Sequence, residues 1–466
     1  MHPFFKKKGK YYSLYPKTYP LIMLPSNYTT RSIISLAVPI MVGNLAQTLI
    51  TFVDTAFLGH LGMVELGAAM MAGLYYYVFS TLAWGFATGI QIIVARRFGE
   101  NNLTEVGAVF KHGLLVVAAL SLLLFCLLHF CTDVLLKGII SSPDILTFSE
   151  EFMKYRHYGI IFVCFNFLFR SFYVGLSNTK IIIYTTLQMA VVNIFFDYAL
   201  IFGHCGLPEM GVAGAAIASV LAEASALVVF ILYTAFRIPL HEYGILPFGR
   251  CHWPLVGSIV KLSLPTMGQR LVSFGAWFVF FVMIERTGEL AVAVSGIVRS
   301  AYMVILVPVF AFAAAANTLT SRIIGEGHSD EVGHLLRRIL KICLVFLAVL
   351  VAVCAILPDT IAGIYTDDAA LALASVPTLR VVCVSALLMS GACILFEAVS
   401  GTGRTMVAFI LESAILVLYI GYILIVTKVF PMPVEVIWCA EILYAILLGA
   451  VSYGYLRWGK WHGMKV

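Results

Sequence analysis

The chain is 466 residues long, 61% hydrophobic and only 12% charged, with a formal net charge of +6. A soluble protein of this length carries about twice that charge fraction, and the apolar residues come in blocks long enough to cross a bilayer, about 20 residues each. That excludes a soluble globular fold, and the short alternating segments of a membrane β-barrel are missing as well.

The first stretch, with Lys6, Lys7, Lys8 and Lys10, contains only the short apolar piece Leu21–Leu24. A signal-peptide core needs about 7–15 apolar residues, so residues 1–32 are expected to be a cytoplasmic N-terminal tail. Twelve spans follow, over 33–59, 68–95, 108–131, 150–176, 181–203 and 211–236, then 255–284, 291–321, 334–357, 370–399, 405–430 and 434–457. The fold class is therefore an all-α polytopic membrane protein. Lysine and arginine crowd the tail, the even-numbered joints and the C-terminal end. The odd joints hold only Lys137, Lys154, Arg156, Arg286, Arg380 and Lys428. The asymmetry puts both termini in the cytoplasm and accounts for the positive balance without nucleic acid.

The first span, ISLAVPIMVGNLAQTLITFVDTAFLGHLG, places Asn44, Gln47, Thr51 and Asp54 at steps of three, four and three. On a helix these share one stripe. A carboxylate at membrane depth costs about 3 kcal/mol or more unless it faces a wet cavity or a partner. Asp54 is therefore a candidate ion-handling group on a polar face.

The chain overlays itself after a shift of 226 residues. RRFGENNLTEVG (96–107) meets RIIGEGHSDEVG (322–333), with Arg96/Arg322, Gly99/Gly325 and Glu100/Glu326 identical. The same shift pairs Pro39 with Pro265, Gly175 with Gly401 and Thr179 with Thr405. Six spans return the chain to its starting side, so the halves are expected to be parallel repeats about an axis along the membrane normal. That predicts two six-helix lobes, 33–236 and 255–457, facing each other across a cleft. The Pro- and Gly-rich linker 237–254 joins them, and 458–466 forms a C-terminal tail.

Differences between the halves locate the chemistry. Asp54 maps to Phe280, Asn193 and Asp197 map to Tyr419 and Ile423, and Ser219 maps to Ala445. Asn193 and Asp197, four apart, share a helix face. Coupling is thus expected in the N-terminal half. Two carboxylates in a partly dry bundle resist joint ionisation. At least one is expected to bind a proton, or both to share a small hard cation such as Na+ through oxygen ligands at Asp54, Asn193 and Asp197. Asn44, Gln47 and, in the C-terminal half, Glu397 are candidate cavity-lining residues. Arg170, Arg270, Arg299, Glu223, Glu412 and Glu441 lie within spans without assignable partners. Cysteine spacing gives no metal or disulfide pattern, no P-loop is present, and no nucleophile-and-base pair argues for an enzyme.

The first span, together with VNIFFDYALIFG (192–203) and GVAGAAIASVLAE (211–223), resembles the multidrug and toxic compound extrusion (MATE) family over nearly the whole chain from residue 33. The VDTAFLGHLG form is most similar to its DNA-damage-inducible protein F-like branch. The resemblance implies an antiporter that exports amphipathic, often cationic compounds in exchange for H+ or Na+, with no cofactor. It also implies a cation-coupling cluster at Asp54, Asn193 and Asp197, with Ser219 in place of a family threonine, and a cavity-lining glutamine at Gln47. A monomer in a bacterial inner membrane is expected. The competing expectation is flippase-type export of a lipid-linked or anionic metabolite, which requires Arg170, Arg270 and Arg299 to make a strongly cationic cleft. A non-transporting receptor is a more distant alternative.

Overall fold

In the computed structural model, residues 28–245, 251–366 and 368–462 are described, and they form helices joined by short turns. Parts of the expected N-terminal tail (1–27), linker (246–250) and C-terminal tail (463–466) lie outside the described residues. Thr29 opens the first helix by accepting from the Ser32 amide at 3.3 Å, the usual role of an N-cap hydroxyl. The N-terminal half comprises α1 (Thr30–Leu61), α2 (Met63–Gly99), α3 (Leu103–Ile139), α4 (Pro143–Arg156), α5 (Gly159–Gly175), α6 (Lys180–Ile201) and α7 (Gly211–Arg237). The C-terminal half comprises α8 (Trp253–Glu285), α9 (Glu289–Gly325), α10 (Val332–Ile356), the short α11 (Pro358–Gly363), α12 (Ala369–Gly401), α13 (Thr405–Leu424) and α14 (Val434–Trp458).

Among the described residues, eleven helices are long and apolar enough to cross a membrane, or twelve if α4 and α5 together count as one bent span. The fourth span, expected as one helix over 150–176, is instead two helices bent by 55°. The break falls where Arg156 turns aside to pair with Glu223. Gly159 opens the second segment there, because a Cβ at that position would run into the Arg156 guanidinium. Several helices also outlast their expected spans. At 37 residues, α2 and α9 rise about 55 Å, well beyond a hydrocarbon core of about 30 Å.

The repeat is visible in the hydrogen bonds. Pro39 and Pro265 lie inside α1 and α8, where each removes a backbone donor and exposes carbonyls of the preceding turn. The Thr179 hydroxyl is shared between the Ser35 and Leu36 carbonyls, at 3.3 and 3.1 Å. Thr405 donates to the Leu262 carbonyl at 2.8 Å. The repeated prolines and threonines are thus one device used twice.

At the basic end of the bundle the two repeated joints interlock. Arg96 is buried and donates to the carbonyls of Ser321 at 2.9 Å and Thr402 at 3.1 Å. Gly99 packs directly on the Arg322 carbonyl, and Gly325 packs on the Arg96 carbonyl, with no room for a Cβ at either. The glycines end α2 and α9, but their main constraint is this close approach. The buried apolar side chains form two clusters. One draws mainly on α8–α14 and takes in Ile33, Leu36 and Ala37 of α1. The other draws mainly on α1–α7 and takes in Ile259 of α8 and Ala311 of α9.

Candidate functional site

α1 and α6 lie side by side and bring Asp54 toward Asn193 and Asp197. The last two are 1% and 0% exposed, whereas Asp54 is half-buried. Asn193 Nδ2 donates to Asp197 Oδ2 at 2.9 Å. Asp54 interacts with both Asp197 and Asn193. Three buried oxygens here, Asp54 Oδ1, Asp197 Oδ1 and Asn193 Oδ1, find no donor among the described residues. A carboxylate only accepts, and a buried acceptor left without a donor costs about 1–3 kcal/mol. The pocket has more acceptors than donors, so a shared proton or a small cation would complete it. No group of three or more His, Cys, Asp or Glu side chains is placed to hold a metal ion among the described residues.

Ser219 is half-buried on α7, but its hydroxyl makes no hydrogen bond among the described residues and is not tied to this cluster. Gln47 and Thr51 are exposed on the same face of α1. Asn44, about one turn before Gln47, accepts from Arg170 Nη2 at 2.8 Å.

A second set of groups beside the acids escaped sequence reasoning. Arg156 donates two hydrogen bonds to Glu223, at 2.8 and 2.5 Å, and its guanidinium lies 3.9 Å from the centre of the Tyr76 ring. Arg156 is also the cation that interacts electrostatically with Asp54. Local spacing gives Arg156 no partner, and it stands among the few basic residues of the odd-numbered joints. One signal was available: Glu223 follows Ser219 by four residues, so it shares the face already singled out.

In the C-terminal half the mapped positions are apolar or aromatic. Phe280 is fully buried with its ring centre 6.2 Å from that of Tyr419. Glu397 is paired with Arg270 at 2.8 Å and accepts from Asn317 at 3.1 Å, so its charge is cancelled. Arg270 also lies over Trp84 of α2, 4.4 Å from the ring centre. Glu412 accepts from Ser273 at 2.6 Å and Tyr444 at 2.8 Å. Glu441 accepts from Tyr419 at 2.8 Å and Tyr302 at 3.5 Å. Arg299 is exposed near Phe281. With Arg270 neutralised and Arg299 on the surface, the three intramembrane arginines do not build one strongly cationic cleft.

Comparison with known proteins accords with this architecture. The family model MatE matches residues 39–199 and 265–425, two segments that start 226 residues apart, the period of the internal repeat. A probable multidrug resistance protein NorM of Rhizobium meliloti (strain 1021) is 27% identical over 339 residues, covering 72% of each chain. A probable NorM of Thermotoga maritima is 23% identical over 459 residues, covering 98% of this chain and 97% of its own. A solved structure of a MATE in the bent conformation superposes with a TM-score of 0.84 at 21% identity, over 95% of this chain and 97% of the other. Since the family match takes in both repeats and more than half of the sequence, the chain belongs to the MATE family, and so to the membrane transporters rather than to the enzymes.

Proposed function

We propose that this protein exports small amphipathic, often cationic, molecules by antiport with H+ or Na+, and that the ion is held by Asp54, Asn193 and Asp197. One observation carries the reading: three buried oxygens on two adjacent helices, two of them from carboxylates, lack a donor. Ion binding would supply it and pull α1 toward α6, and release would let them part. That is the differential contact an ion needs to bias a two-state transporter. The family membership and the multidrug resistance names of the relatives support the substrate class. The same reading places the protein in the DNA-damage-inducible protein F-like branch, as a monomer of the inner membrane with both termini in the cytoplasm. It divides the chain into lobes 33–236 and 255–457, which rock about the cleft while Ser219, Asn44 and Gln47 line the N-terminal side.

The test is efflux of fluorescent organic cations from proteoliposomes, with sodium and pH gradients imposed independently. Asp54→Asn is expected to abolish gradient-driven efflux while the protein keeps its melting temperature. Gradient-driven efflux at the wild-type rate by this variant removes the mechanism.

A further inference from the structure

The 226-residue repeat sets two equivalent places at the basic end of the bundle, and the chain covers one of them. In the N-terminal half the linker lies on the start of α3. The Tyr243 carbonyl packs on Gly107 with no room for a Cβ, and the His252 amide donates to His112 Nε2 at 2.9 Å. The shift carries Gly107 to Gly333, Lys111 to Arg337 and His112 to Arg338, at the start of α10. There a Cβ on Gly333 would meet nothing within 4 Å. A cavity of about 700 Å³ lies between the start of α1 and the first turns of α10.

The walls of this cavity are cationic. His334, Arg337, Arg338 and Lys341 line it, and Glu331 is the one carboxylate among its lining residues. Nearby arginines are matched: Arg97 pairs with Glu100 and Glu105, and Arg322 with Glu326. Among the described residues no carboxylate pairs with Arg337, Arg338 or Lys341. Arg338 instead donates to the Tyr28 carbonyl at 2.5 Å, which ties the two sides of the cavity together. The 27 residues before Tyr28 bring five lysines and no carboxylate, so the missing negative charge is not theirs to give. Clustered guanidinium and ammonium groups bind phosphate through charge-assisted hydrogen bonds. Arg337, Lys341, Val345, Val349 and Val353 follow one another at steps of four, as one ridge along α10, and all five are exposed. The cations at the basic end are thus continued by an apolar track along the membrane span.

We propose that the cavity between α1 and α10 binds the phosphate headgroup of an acidic phospholipid, with an acyl chain lying along the valine ridge. Phosphate in solution offers the same headgroup chemistry but nothing to cover the ridge. Bound there, the lipid bridges the first helix of the N-terminal half to the C-terminal half. The inference does not depend on which solute or ion the protein carries.

Palmitoyl-oleoyl phosphatidylglycerol and the phosphatidylcholine with the same chains differ in net charge alone among the features that matter here. Their affinities for the purified full-length protein are to be read by native mass spectrometry. The wild type is expected to bind the first phosphatidylglycerol about tenfold tighter than phosphatidylcholine, since each lysine or arginine near an acidic headgroup adds to the attraction. In the double variant Arg337→Gln, Lys341→Gln that ratio falls to about one. Both side chains are exposed and without an ion-pair partner among the described residues, so folding is not at stake. The double variant Lys180→Gln, Arg237→Gln removes two exposed cations elsewhere at the same end and is expected to keep the wild-type ratio. Equal affinity of the wild type for the two lipids, the result if the chain's own first residues fill the cavity, overturns the proposal. So does an unchanged ratio in the first variant, or an equal loss in both, which makes the preference a property of the whole basic end. Displacement of the lipid by an equimolar amount of inorganic phosphate overturns it as well, because the site then belongs to a soluble anion.

Discussion

One pocket occurs twice in this molecule and was filled in two ways. In the N-terminal half Asp54 interacts with Asn193 and with Arg156, which lies over Tyr76, and the 226-residue shift replaces Asp54, Asn193 and Tyr76 with Phe280, Tyr419 and Tyr302. The C-terminal version still holds a carboxylate, Glu441, but it comes from α14, at the position that matches Ala215. Tyr419 and Tyr302 both donate to it, and Tyr302 also pairs with Ser385 at 3.0 Å. Hydroxyls there meet the acceptors, and Phe280 and Trp438 close the walls in an edge-to-face contact at 5.0 Å. The N-terminal version has two aspartates for one amide donor. The difference teaches that a buried acid is not itself a sign of ion handling; the balance of donors and acceptors around it is.

Five substitutions test that contrast. The largest effect is expected from Asp197→Asn, which supplies an amide donor where Asp54 lacks one. On the proposed mechanism the variant removes an ion-binding oxygen rather than a packing group, so gradient-driven efflux should fall at least about 100-fold in proteoliposomes. Next is Glu223→Gln, which strands Arg156 beside Tyr76 and Asp54. Breaking a buried pair costs about 3 kcal/mol, to be read as a lower melting temperature in detergent; an unchanged melting temperature would mean that Asp54 alone compensates Arg156. Thr179→Val and Thr405→Val should each cost about 1 kcal/mol, one hydrogen bond at a proline-exposed carbonyl. Their near equality is the point, and a large inequality would show that the two halves are not energetically alike there. Smallest is Glu441→Gln, expected below about 1 kcal/mol with efflux retained, because the glutamine oxygen still accepts from Tyr419. If it stops efflux as Asp197→Asn does, the contrast between the halves is lost.

Much of the architecture was open to a reader of the residues. The apolar blocks gave the spans, and the paired Pro39/Pro265 and Thr179/Thr405 gave the repeat. The polar stripe from Asn44 to Asp54 and the Asn193–Asp197 step were equally legible, because helical periodicity sets which side chains share a face. The bend between α4 and α5 was not legible. No proline lies within 150–176, and Glu223, the partner Arg156 meets at the break, is 67 residues away. Asymmetry between the halves was read as loss of acids from the C-terminal one. Glu441 shows that an acid can return to the same place from another helix, which a position-by-position shift does not register.

The sequence by itself determined that twelve apolar crossings form, that they form as a repeat, and which of their faces are polar. Each of these follows from hydrophobicity and periodicity, which are local properties. Only the tertiary structure decided which charges cancel. Arg270 meets Glu397 and Arg156 meets Glu223, while Arg170 meets an amide and the Asp54 pocket is left short of donors. Those outcomes depend on where helices far apart in the chain cross, and in a medium without water to hydrate a stray charge, that crossing decides which groups are structural and which await a ligand.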